Sequence, residues 1–189
     1  DGLPPVRAGR FFVAGSHALA RAHSGVRIWI EASEAFGTGH HGTTWGCLMG
    51  LEGILRERRV SRVLDVGAGS GVLAIAAAKT GAEALAIEID PRAAAIAEIN
   101  AKQNQVAQRL QVIAGDGARY IAQQQFDLVF ANILMRPLIR LAPKLVSAVA
   151  PGGNLILSGL LRTQAPLVRE AYASRGLILE KRIPREAWT

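Results

Sequence analysis

The chain has 189 residues, 50% of them apolar and 20% charged, which is enough to bury one core and excludes a disordered chain. A single cysteine, Cys47, rules out an intramolecular disulfide and a cysteine-rich zinc site. The net charge of +7 admits a nucleic-acid partner. However, the densest basic group, Arg56, Arg58, Arg59 and Arg62, falls where a helix should end and a strand begin, so a solvated basic surface is the expectation.

In chain order, VRAGRFFVAG and VRIWIE read as two strands joined by HALARAHSG, a hairpin-like lead-in. Residues 45–58 have helical character, and Thr43 and Thr44 before them are N-cap candidates. RVLDVG (62–67) is a short apolar run ending in glycine, read as a buried strand. VLAIAAAKT (72–80) is a helix stopped by Gly81, and EALAIEID (83–90) a second strand. Asp90 then Pro91 form an N-cap and first-turn proline, opening a helix to about Asn104. LQVIAG (110–115) and FDLVFAN (126–132) are the third and fourth strands. PLIRLAPKLVSAV (137–149) has helical spacing, with Pro143 placed to kink or divide it. Pro151-Gly152-Gly153 is a turn before a fifth strand, NLILSG (154–159). A helix at about 163–175 and a sixth strand, LILEKR (177–182), complete the alternation. This rhythm predicts an α/β fold with a doubly wound, mostly parallel sheet and helices on both faces. Ligands of such sheets bind outside the carboxyl ends of the strands, so the residues just after each strand carry the functional argument.

The first such loop is Asp65-Val66-Gly67-Ala68-Gly69-Ser70-Gly71. Its glycines permit a sharp turn and close ligand approach, and the following helix presents N–H groups to an anion. Val72 stands where the third glycine of the dinucleotide fingerprint would fall, which argues against a nicotinamide cofactor. Asp65 is unhelpful beside a pyrophosphate but suits an ammonium or a sulfonium; S-adenosylmethionine has both, and a carboxylate for the loop N–H groups. Glu88 ends the second strand and can accept from both ribose hydroxyls. Asp116-Gly117 follows the third strand, where a carboxylate could take an adenine amino group and a plain turn is the alternative. Asn132-Ile133-Leu134 follows the fourth. The Asn132 amide oxygen and a following backbone carbonyl can accept the N–H hydrogens of an amine and aim its lone pair.

Together these features resemble the Rossmann-like class I methyltransferases that use S-adenosylmethionine. AFGTGHHGTT (35–44), DVGAGSGVLAIAA, ANIL (131–134), PGG and LSGLL (157–161) resemble the PrmA family, which methylates protein eleven of the large ribosomal subunit. The resemblance covers nearly the whole chain. It implies cofactor contacts at Thr44, Gly67, Glu88 and Asn132, to which the reading of the residues themselves adds Gly69, Gly71, Asp65, Asp116 and Gly117. It also implies a loop of Phe36, Gly37, Thr38 and Gly39 closing over S-adenosylmethionine and its product S-adenosylhomocysteine. Asn132 and Ile133 are the expected catalytic residues. The expected reaction is methyl transfer to amino groups, lysine or α-amine, of that ribosomal protein. An RNA or small-molecule methyltransferase with the same cofactor is the alternative.

There are departures. The family loop commonly reads Thr-His-Pro-Thr-Thr where this chain has His40-His41-Gly42-Thr43-Thr44. The two histidines lack a partner at metal-ligand spacing, so no metal is expected. Asn-Ile-Leu is not the Asn-Pro-Pro-aromatic signature of enzymes acting on adenine or glutamine amides, which counts against a flipped base. On the family pattern, residues 1–34 read as linker and lead-in and 35–189 as the catalytic domain. An N-terminal recognition domain is then absent and the last strand truncated. No apolar run approaches the roughly 18 residues of a membrane helix, and the start has no signal pattern. A cytoplasmic monomer with weak attraction to ribosomal RNA and no membrane contact is therefore expected.

Overall fold

The computed structural model describes residues 5–19, 24–30, 41–116, 118–121 and 124–189. Its central sheet has five parallel strands: β4 (Arg62–Val66), β5 (Glu83–Glu88), β6 (Leu110–Ala114), β7 (Phe126–Asn132) and β8 (Val149–Ser158). Their order is β6-β5-β4-β7-β8, so the chain winds outward from β4 one way, then crosses to the other side. The carboxyl ends of β4 and β7, adjacent at this switch, are where such sheets hold ligands.

Both sheet faces are apolar, as a parallel sheet covered twice requires. Val63, Ala84, Ala86, Leu128 and Phe130 point into one core, and Leu64, Leu85, Ile87, Val129 and Ala131 into the other. Helices α2 (His41–Glu57), α3 (Val72–Lys79) and α4 (Pro91–Gln103) cover the first face. Helices α5 (Ala118–Ile121), α6 (Met135–Ala148) and α7 (Ala165–Ala173) cover the second. Residues 72–78 of α3 are all buried, since the helix is packed on both sides. Its outer side meets a second, three-stranded sheet of β1 (Val6–Ala8), β2 (Phe11–Ala14) and β3 (Val26–Trp29).

Several sequence expectations are corrected. The lead-in is not one hairpin between two strands: VRAGRFFVAG is itself a hairpin, β1 antiparallel to β2. After the single turn α1 (Ser16–Leu19), β3 returns parallel to β2. Gly9, at φ +56°, supplies the hairpin turn that the reading passed over. The strand after Pro151-Gly152-Gly153 begins earlier, at Val149. The glycines form an irregularity inside β8, where Phe126 pairs with Val149 but Leu128 with Asn154. Arg58 ties this bulge down, donating to the Asp127 carbonyl at 2.9 Å and to Asn154 Oδ1 at 2.7 Å. Part of the basic cluster is thus structural. Arg62 likewise stacks on Phe126 at 5.2 Å and donates to Gln124.

Residues 177–182 form no strand. An apolar run becomes a strand only where a neighbouring edge takes its hydrogen bonds. Here the segment and β8 line a groove of about 850 Å³ and meet through a side-chain bond, Asn154 Nδ2 donating to Glu180 Oε2 at 3.0 Å, with no backbone ladder between them. Pro143 lies inside α6 without dividing it. The boundary expected at 34/35 lies outside the described residues. Phe11 and Ile28 of the lead-in belong to the same core as α2 and α3.

Candidate active site

The β4–α3 loop is built by left-handed backbone at Gly67 (φ +71°), Gly69 (φ +54°) and Gly71 (φ +79°). Gly67 and Ala68 donate to the Ile87 carbonyl, holding the loop against β5. Asn100 of α4 donates to the Ser70 carbonyl at 2.9 Å. Glu88 accepts the Gly69 N–H at 2.8 Å and the Asp90 N–H at 3.0 Å. Its carboxylate therefore shapes the loop and retains further lone pairs for ribose hydroxyls. Asp90 is the N-cap of α4 as read from the sequence, accepting from Arg92 N–H.

Asp65 lies beneath the loop, 1% exposed. Its Oδ2 accepts the Ala74 N–H at 3.2 Å, so it serves a first-turn amide of α3 from the neighbouring strand. Its Oδ1 has no hydrogen-bond partner among the described residues. Burial, reinforced by the charge of Glu88 and opposed by the Ala74 bond, pushes its pKa up to about 7. Any pull on a bound cation is exerted from under the loop, not by exposed contact.

Helix α2 is described from His41, and Thr43 and Thr44 lie within it. The N-cap expectation for them is corrected. Both are buried, and the Thr43 carbonyl accepts from Ser158 Oγ at 3.4 Å. Cys47, one turn on, is a core residue, and burial pushes its thiol up to about 12. Phe36, Gly37, Thr38, Gly39 and Gly117 lie outside the described residues. Asp116 is exposed just past β6.

Asn132 ends β7, paired in register with Ser158. The N-cap of α6 is Leu134, which leaves Asn132 free of a capping role. Ile133 follows with its side chain packed over the Cα of Gly67: a Cβ there would collide with Ile133 Cγ2. The β4–α3 loop and the Asn132–Ile133 loop therefore touch. Leu134 beyond them is 66% exposed, an apolar surface beside the amide.

Two neighbours of this site escaped the sequence reading. Ile89 is 74% exposed between Glu88 and Asp90, an apolar surface against which a flat base could pack. The signal was an aliphatic residue between two acids at a strand end. Gly159, left-handed at φ +83°, lies directly against the Ile133 peptide. It shares with Gly67 the position just after a strand.

A parallel sheet of this order, with a glycine loop after its first strand, an acid after its second and an amide after its fourth, has the fold of the Rossmann-like class I methyltransferases. A family model described as ribosomal protein L11 methyltransferase (PrmA) matches residues 1–189. The chain belongs to that family. It is 53% identical over 191 residues to the ribosomal protein L11 methyltransferase of a Caulobacter species, and 49% over 193 residues to that of Sinorhizobium fredii. All of this chain is matched in both cases, and it spans 66% of each relative's length. Among solved structures, a ribosomal protein L11 methylase from Lactobacillus delbrueckii subsp. bulgaricus aligns with a TM-score of 0.83 at 26% identity. That alignment covers 98% of this chain and 95% of the other. A methyltransferase from Geobacter sulfurreducens, in complex with S-adenosyl-L-homocysteine, aligns with a TM-score of 0.55 at 26% identity, over 66% and 52% of the two chains.

Proposed function

We propose that this chain is the catalytic part of an S-adenosylmethionine-dependent N-methyltransferase acting on amino groups of ribosomal protein L11. One observation carries the reading most directly. The Glu88-pinned glycine loop touches the Asn132–Ile133 loop through Ile133, so a cofactor site and an acceptor site share one wall.

The residues present fit the cofactor. Gly67, Gly69 and Gly71, left-handed and without side chains, let a carboxylate approach the loop and the N-terminus of α3 closely, their own N–H groups being engaged at Ile87, Glu88 and Ala68. Glu88 offers lone pairs to the ribose, Ile89 an apolar surface to the base, and Asp116 an acceptor to its amino group. We assign Thr44, Gly117 and the Phe36–Gly39 segment the remaining contacts on the strength of the family likeness. When bound, S-adenosylmethionine supplies a methyl group on sulfonium, which an amine lone pair takes while the carbon–sulfur electron pair stays on sulfur.

The chain's own groups orient the amine. The Asn132 amide oxygen and the Ile133 carbonyl are two acceptors at the end of β7, and together they can hold both hydrogens of a neutral primary amine. Leu134 and Ile133 make the approach apolar, which favours the neutral amine over the ammonium. Positioning and desolvation carry the catalysis, and no side-chain base is required. Arg58 and Arg62 of the basic cluster are engaged within the fold, which supports a protein acceptor over RNA.

Mass spectrometry of isolated large-subunit ribosomal proteins, after incubation with S-adenosylmethionine and the full-length protein, tests this. Mass gains in steps of one methyl, confined to L11, are expected. Cofactor binding without any gain on L11 would overturn the acceptor assignment.

A further inference from the structure

Ile133 is held from two sides. Its side chain rests over Gly67, at the end of β4, and its backbone rests on Gly159, at the end of β8. A Cβ on Gly159 would stand 2.5 Å from the Ile133 oxygen, 2.9 Å from its carbonyl carbon and 3.0 Å from its nitrogen. These are backbone atoms, so the peptide itself would have to move; no rotamer change relieves the contact. The same peptide bears the carbonyl assigned above to the amine, and Asn132 precedes it.

We propose that Gly159 is a positioning residue for methyl transfer: lacking a Cβ, it lets the Asn132–Ile133 loop seat on the end of β8 and so sets where the two amine acceptors stand. The inference rests on the acceptor role proposed for those two residues. Gly67 sets the other coordinate. The Ile133 side chain is keyed onto the cofactor loop there, so the acceptor groups are registered to the cofactor site through one residue. The motif LSGLL thereby acquires a role: Leu157 and Ser158 end the strand, and Gly159 is the seat for the opposing loop.

The test uses Gly159→Ala in the full-length protein, with Gly176→Ala as its control. Gly176 has nearly the same left-handed backbone, φ +87° against +83°, but no atom within 4 Å of its added Cβ. Both variants carry the backbone strain; only the first displaces Ile133. In the cofactor-free protein, Gly159→Ala is expected to shift the amide resonances of Asn132, Ile133 and Gly67, whereas Gly176→Ala leaves them in place. Cofactor affinity by calorimetry should stay within about twofold of wild type in both. Turnover on L11 should fall by about tenfold or more in Gly159→Ala with little change in KM, the scale on which small misplacements act. It should be unchanged in Gly176→Ala.

Equal turnover in Gly159→Ala and wild type overturns the inference and leaves the proposed function standing. Equal losses in the two variants also overturn it, because strain alone would then explain the effect. No methyl transfer by the wild type overturns both readings. Should Gly159→Ala not fold, Ile133→Ala examines the register from the other side. Lower turnover at unchanged cofactor affinity supports the inference, and unchanged turnover refutes it.

Discussion

Glu88 and Gly69 are joined by a 2.8 Å hydrogen bond from the loop N–H to the carboxylate, while the other oxygen holds the Asp90 N–H at 3.0 Å. The residue proposed to bind ribose is thus already part of the loop's frame. Two charged-acceptor hydrogen bonds of this kind contribute roughly 1.5–3 kcal/mol each. Glu88→Ala is therefore expected to weaken cofactor affinity and lower the melting temperature together. Glu88→Gln should be nearly as costly, because one oxygen becomes an NH2 facing a backbone donor. Calorimetry with S-adenosylhomocysteine and thermal unfolding without it measure the two effects. A loss of affinity with an unchanged melting temperature would mean that the loop does not depend on Glu88.

Gly69 itself is left-handed at φ +54°, a region that a β-branched residue avoids. Gly69→Val should therefore disturb the loop before any ligand arrives. The expected result is loss of cofactor binding with a lower melting temperature. Loss of binding at unchanged stability would mean that the valine obstructs only the ligand.

Asp65 gives stability a pH dependence. Burial raises its folded pKa from 3.8 to about 7, so the folded chain holds a proton that the unfolded chain has released between those values. Stability contributed at this site is therefore full below about pH 4, falls as pH rises to about 7, and is level above. The slope approaches about 1.4 kcal/mol per pH unit, the value for one proton. Asp65→Asn keeps an acceptor for the Ala74 N–H and removes the titration. The wild type should lose stability against this variant as pH rises through that window, in denaturant titrations at several pH values. A constant difference would mean that Asp65 is ionised throughout. The other titratable groups acting on it, Cys47 on α2 and Glu88 on β5, leave the sign unchanged.

Asn132 carries the acceptor argument. On the acceptor role and the L11 activity proposed above, Asn132→Ala should lower turnover by about a hundredfold while cofactor affinity changes little, the pattern of a group that positions a reacting amine. If binding of S-adenosylhomocysteine is lost instead, Asn132 is a cofactor contact. Single-turnover rates beside calorimetry separate the two outcomes.

The central sheet was legible because each of its strands is a short apolar run closed by glycine or a polar residue, and parallel burial demands that pattern. Gly67, Glu88 and Asn132 stand out in the sequence because they close strands, and the structure places them at the carboxyl ends of β4, β5 and β7. What escaped depends on neighbours remote in sequence. Leu177–Arg182 has a strand's composition but makes no ladder with the edge strand β8, which it faces across a groove. Arg58 reads as surface charge, yet it closes a bulge almost a hundred residues away, at Asn154. The contact of Gly159 with Ile133 has no sequence signal at all beyond the glycine, since only folding brings β8 beside β7.

Asn104 shows the same remoteness and yields a last prediction. It is buried at the C-terminus of α4, and its side chain grips the Trp29 backbone from both directions. Oδ1 accepts the Trp29 N–H at 2.9 Å, and Nδ2 donates to the Trp29 carbonyl at 2.7 Å and to the Asn100 carbonyl at 2.9 Å. It pins β3, and with it the three-stranded sheet, to the catalytic fold. Asn104→Ala removes all three bonds from a buried position, a loss of about 2–4 kcal/mol at roughly 1 kcal/mol or more per bond. For a chain of this size the melting temperature should fall by about 5–15 °C. Asn104→Asp keeps the acceptor but sets a carboxylate against two carbonyls, so it should be at least as destabilising. Cofactor affinity at a temperature where both variants are folded should be unchanged, because the cradle at Gly67–Gly71 is held by Ile87, Glu88 and Asn100. A fall in affinity would show instead that the three-stranded sheet supports the cofactor loop through α3.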